Sequence, residues 1–143
     1  MSDFDLRYFL PYQLAAAAQR ISRDFAETYR RDFGISIPEW RVLAHLNHEG
    51  EVSVRDIHLR VDMDKSKVSR AASRLEEAGY VVKLAHASDG RLVSLSLTAK
   101  GRRLMEQLIP VALNYQTALR QRLGASAGGL ATALGVILQE DDT

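Results

Sequence analysis

The sequence predicts a mainly α-helical fold with a small β-hairpin, and three observations carry that prediction. Apolar residues recur at helical spacing from Phe9 to the region of Leu46. Between Gly79 and Thr98 the period shortens to two, with Ser88-Asp89-Gly90 as a turn in the middle. After Thr98 the helical period returns and runs on to Leu138. Helix, short turn, basic helix and hairpin in that order make a winged helix-turn-helix, flanked here by a long helical region at each end. One domain is expected over residues 1–143, with the winged core at about 36–100 and flanking helices at about 9–33 and 98–140.

Each element has its own signals. Pro11 is expected at the first position of a long helix in which Leu14, Ala18, Ile21, Phe25 and Tyr29 form one stripe, and Gly34 stops it. A second helix follows Ser36-Ile37-Pro38, faces inward with Trp40, Leu43 and Leu46, and ends at Gly50. Ser53 is placed to cap a third, short helix carrying Val54, Ile57 and Val61. Asp64 caps a fourth and Gly79 ends it. In the hairpin, Val82 and Leu84 on one strand and Val93, Leu95 and Leu97 on the other alternate with polar or small residues. Thr98 caps a long helix bearing Leu104, Leu108, Val111, Tyr115 and Leu119, which Pro110 should bend. A final helix begins at Ser126, with Leu130, Leu134 and Leu138 on one face and three glycines weakening it.

The fourth helix raises the functional question. A helix turns about 100° per residue, so Val68, Ala71, Ala72, Leu75 and Ala78 share an apolar stripe. The opposite face carries Ser66, Ser69, Arg70, Ser73 and Glu77, with Lys65, Lys67 and Arg74 at its edges. Serines are poor helix-formers, but beside cations they supply short hydrogen-bonding groups next to phosphate-binding ones. The charge distribution agrees. Residues 54–103 hold eleven Lys or Arg against six Asp or Glu, whereas the rest of the chain is acidic, for an overall +1. A basic middle between acidic ends points to a polyanion met by one part of the molecule.

Composition excludes several alternatives. The 46% apolar and 26% charged residues are globular values. No apolar run approaches the roughly 20 residues needed to cross a bilayer, and the acidic start MSDFDLRYF lacks the layout of a signal peptide. A cytoplasmic protein with no membrane contact is expected. With no cysteine, disulfides, thiolate metal sites and thiol redox sensing are ruled out.

The chain resembles the MarR family of bacterial transcription regulators over nearly its whole length. The resemblance lies in Pro38-Glu39-Trp40, in Val68-Ser69-Arg70 with Arg74-Leu75-Glu76 and Gly79, and above all in Asp89-Gly90-Arg91 followed by Leu97-Thr98-Ala99-Lys100-Gly101. It departs at Lys67, where many members carry a small hydroxyl residue, and in its glycine-rich last helix. The resemblance implies that residues near 64–78 form a recognition helix, that Arg91 is the wing arginine, and that the terminal helices interlock in a homodimer. It also implies a cleft for a small aromatic or phenolic anion, for which Tyr12, Arg20, Trp40, Arg41, His45 and Tyr115 are candidates.

The residues support dimerisation on their own. Apolar stripes at both ends exceed what the small winged unit can cover, and a two-fold pair presents recognition helices about 34 Å apart. Ser66, Lys67, Ser69 and Arg70 are expected at base edges and neighbouring phosphates of double-stranded DNA, with Lys65 and Arg74 on the backbone. Arg91 is expected in the minor groove, and Asp89 is expected to orient the wing with Arg74 as a candidate partner. The implied activity is that of a ligand-responsive repressor on a palindromic operator. No enzyme activity and no cofactor are expected.

Two rival chemistries are present. Gly124-Ala125-Ser126-Ala127-Gly128 matches a nucleophile-elbow spacing, but that chemistry needs a strand before the serine. A turn between helices with Ser126 as cap is expected instead. His45 and His48 stand three apart on the second helix, where Glu49 could complete a metal site; a metal-responsive regulator is therefore the alternative reading.

Overall fold

Side-chain caps set most of the helix starts. In the computed structural model, which describes residues 3–61, 63–86 and 89–139 apart from the side chains of 86 and 89–92, α1 spans Leu10–Phe33 and α2 spans Ile37–Glu49. The Ser36 hydroxyl accepts from Glu39 N while the Glu39 carboxylate accepts from Ser36 N, a reciprocal capping box that starts α2. Ser53 caps α3 (Val54–Arg60) and Asp64 caps α4 (Lys65–Glu77). Thr98 caps α5 (Ala99–Leu123), and α6 spans Ser126–Leu138. α1 stops where Gly34 adopts φ +67°, a left-handed conformation that side chains with a Cβ avoid.

Several expectations need correction. The hairpin belongs to a three-stranded antiparallel sheet, because β1 (Glu51–Ser53) pairs with β3 (Asp89–Leu97), which also pairs with β2 (Val81–His86). A three-residue strand is too short to show alternation in the sequence. Within β2 the buried residue is Val81, and Val82 and Leu84 are exposed. Val81 pairs with Leu97 and Lys83 with Leu95, so the inward set is one residue out of step with the expected one. Pro11 is the second residue of α1, not the first. Ser126 is the first residue of α6 and caps nothing; Ala125 precedes it with helical dihedrals and no side-chain bond.

The core joins all parts of the winged unit. Leu43 and Leu46 of α2, Ile57 of α3, Val68 and Leu75 of α4 and Leu95 of β3 are fully buried, and Tyr29, Met105 and Leu108 tie α1 and α5 to them. By contrast the outer ends of the flanking helices are uncovered in the single chain. Leu10, Tyr12 and Leu14 of α1, Leu113 of α5, and Leu130, Val136, Ile137 and Leu138 of α6 are exposed. Among the described residues no helix is long and apolar enough to cross a membrane.

Candidate nucleic-acid interface

The exposed face of α4 begins with a cap. The Asp64 carboxylate accepts from Lys67 N at 2.9 Å and from the Ser66 hydroxyl at 2.8 Å. The backbone donor chiefly, then the hydroxyl, holds the Asp64 carboxyl below the usual carboxylate range. Val68, Ala71, Ala72 and Leu75 then bury one side of α4 and leave the other to solvent, whereas Ala78, expected on the same stripe, follows the last turn and is exposed. Lys65, Ser66, Lys67, Ser69, Arg70, Ser73 and Arg74 are all exposed. Ser69, Arg70, Ser73 and Arg74 border a shallow groove of about 330 Å³. Among the described residues, no ion pair within 4 Å engages Lys65, Lys67, Arg70 or Arg74. The acidic end of the helix is partly compensated, since Lys83 of β2 stands 3.6 Å from the Glu76 carboxylate.

This geometry brings six of the seven expected DNA-facing residues onto one surface and turns the Ser66 hydroxyl back towards the Asp64 cap. The backbones of Asp89 and Arg91 lie in β3, but their side chains lie outside the described residues. So does the expected pairing of Asp89 with Arg74.

A second feature lies on the other side of α2. Trp40, Arg41, Ala44, His45 and His48 of α2 line an open groove of about 320 Å³ with Arg60 and Val61 at the end of α3. Three of the six expected pocket residues, Trp40, Arg41 and His45, therefore meet. Tyr12 and Arg20 do not line it; both are exposed on α1. Tyr115 is committed elsewhere, donating to the Asp24 carboxylate at 2.9 Å and packing 5.2 Å from Phe25, whose ring also abuts Trp40. Burial of Tyr29 beneath this cluster pushes its hydroxyl up to about 12. Arg41 donates to the Ser22 hydroxyl at 3.3 Å. His45 Nε2 is buried with no hydrogen-bond partner among the described residues. Desolvation, and then the Arg60 guanidinium, hold the imidazole below its ordinary value.

Arg60 also answers the metal alternative. Its Nη1 lies 3.3 Å from Glu49 Oε1, and His48 Nε2 lies 3.9 Å from the same oxygen. The Glu49 carboxylate is thus paired with a guanidinium. Among the described residues, no three His, Asp or Glu side chains are grouped to hold a metal.

The MarR family's sequence profile matches residues 33–92, which span α2, α3, α4 and most of the wing. The crystal structure of the MarR family transcriptional regulator SPO1453 from Silicibacter pomeroyi DSS-3 is 31% identical, with 94% of this chain and 99% of that one aligned at a TM-score of 0.79. The chain belongs to the MarR family. Among curated HTH-type relatives, the transcriptional repressor MdtR of Bacillus subtilis is 29% identical over 76% of this chain. The matched stretch covers between 43% and 66% of the lengths of three such relatives. BpsR of Bordetella bronchiseptica, whose DNA binding is regulated by 6-hydroxynicotinic acid, shares the fold at a TM-score of 0.83 and 21% identity, with 98% of this chain and 100% of that one aligned. The relatives and neighbours of this MarR chain are transcription regulators, not enzymes. In keeping with that, α5 and a turn at Gly124, not a strand, precede Ser126.

Proposed function

We propose that this MarR-family chain is a homodimeric, ligand-responsive repressor that reads a palindromic operator with α4 and the wing. The observation that carries the reading is the exposed face of α4. It presents Lys65, Lys67, Arg70 and Arg74 interleaved with Ser69 and Ser73 over an apolar underside that locks the helix to the core. A helix of this width fits the major groove, where arginine forks match guanine and serine hydroxyls reach bases or phosphates. The uncovered apolar ends of α1, α5 and α6 support a second copy of the chain as partner.

The open groove between α2 and α3 supports the reading of a small aromatic or phenolic anion as effector. Arg41, Arg60 and the unpartnered His45 Nε2 supply cationic and hydrogen-bonding groups, and Trp40 supplies an aromatic wall. The regulation of BpsR by 6-hydroxynicotinic acid, a hydroxylated aromatic acid, is in line with that class. Such an effector needs only a differential affinity of a few kcal/mol for a dimer geometry with the wrong half-site spacing. Selection from a random duplex pool at low salt tests the reading: an inverted repeat should be enriched, and failure to enrich any duplex overturns it.

A further inference from the structure

Three successive carbonyls at the end of the recognition helix all accept hydrogen bonds from the start of α5. Lys100 Nζ donates to Ala78 O at 2.6 Å, Thr98 Oγ1 to Gly79 O at 2.6 Å, and Thr98 N to Tyr80 O at 3.0 Å. The Lys100 ammonium also lies 4.7 Å from the centre of the Tyr80 ring. Gly101 completes the contact. A Cβ there would come within 2.1 Å of the Tyr80 carbonyl oxygen, so only glycine lets the two backbones approach this closely.

The last carbonyls of a helix have no partner within it. α4 satisfies two of its own by a reversed turn, in which Gly79 N donates to Glu76 O at 3.0 Å and Tyr80 N to Leu75 O at 2.9 Å. One residue further on, the carbonyls of Ala78, Gly79 and Tyr80 are those that the start of α5 takes. Water would serve an exposed carbonyl nearly as well, so folding alone gives little reason to commit the exposed Lys100 to this bond. The geometric consequence is larger. The end of α4 cannot tilt against α5 without breaking the three bonds and the ring contact together.

We propose that Lys100 is a positioning residue that locks the recognition helix to α5, so that α5 fixes the spacing between the two recognition helices of the dimer. This rests on the reading of the chain as a dimeric operator-binding protein. One added base pair moves a half-site by about 3.4 Å and turns it by about 35°. A locked pair of helices cannot follow that step, whereas a loosened pair can.

The test uses the inverted repeat selected by the wild-type chain, together with versions in which one central base pair is inserted or deleted. Lys100→Met keeps the aliphatic stem and removes the donor and charge; Lys100→Arg restores both. Wild type should disfavour each altered spacing by about tenfold or more, within the usual range of coupling between sites. Lys100→Met should cut that penalty to about threefold or less, with a melting temperature within about 3 °C of wild type, and Lys100→Arg should restore it. Should Lys100→Met fail to fold, Lys100→Gln, too short to reach Ala78 O, is held to the same criterion. An unchanged penalty in the variant, or an equal loss of affinity on all three duplexes, overturns the positioning role alone. A wild-type chain that selects no spaced repeat overturns the regulator reading and this inference with it.

Discussion

Arg70 and His45 show how much rests on single side chains. Arg70 lies in the middle of the exposed face of α4, bordering the groove between Ser69, Ser73 and Arg74. Arg70→Ala should weaken operator binding by about 1–3 kcal/mol and relax base preference at one or two positions per half-site. Arg91→Ala should weaken binding while leaving the major-groove consensus intact, because an arginine at a wing tip reads groove width and A·T character. Sites selected by each variant from a random pool separate the two; a full consensus for Arg70→Ala with a rewritten core for Arg91→Ala reverses the assignment. His45 gives a pH signature. Its imidazole is held below the ordinary value of 6.5, so the neutral form favours folding. That contribution is present above pH 6.5 and is lost as pH falls through the lowered folded value. Melting temperatures across this range should fall less steeply for His45→Gln than for wild type. Parallel profiles would mean that the imidazole titrates alike folded and unfolded.

At the scale of elements, the joint between α4 and α5 is the part with least tolerance. Gly101→Ala should destabilise the fold by about 3 kcal/mol, because the obstructing atom is a backbone carbonyl that cannot rotate away. Denaturant midpoints for wild type and variant measure it; a change within error would mean that α5 shifts freely against Tyr80. Most elements were legible in the sequence because their punctuation is local. Ser53, Asp64 and Thr98 cap the helices they were expected to cap, and Gly34, Gly50 and Gly79 follow the helices they were expected to end. What remained hidden depends on partners distant in sequence. β1 is a strand only because β3 lies beside it, and the inward set of β2 is fixed by its pairing with Leu95 and Leu97. The same holds for the sites. The α4 face follows from a period of 3.6, whereas Arg60 reaches the His45 groove through the packing of α3 on α2. The segment Leu97–Gly101 carries a family mark in the sequence, and its contact with Ala78, Gly79 and Tyr80 emerges only from the fold.

For the whole molecule, the small net charge conceals a polar arrangement of charge. The basic stretch at residues 54–103 contains α4 and the wing, while the acidic surplus of the remainder lies near the two ends of the sequence and around α2 and β1. The basic middle draws phosphate to one part of the molecule. If α4 and the wing are the operator-binding surface, each half-site displaces several counterions as Lys65, Lys67, Arg70 and Arg74 meet phosphates and bases. The most direct measurement is therefore the affinity of the wild-type chain for its selected duplex as a function of salt. It should fall by about three orders of magnitude between roughly 50 and 200 mM, and Lys65→Ala should lower the slope of log affinity against log salt by about one per half-site. An affinity that barely responds to salt, or a slope that Lys65→Ala leaves unchanged, would contradict the assignment of this surface to DNA.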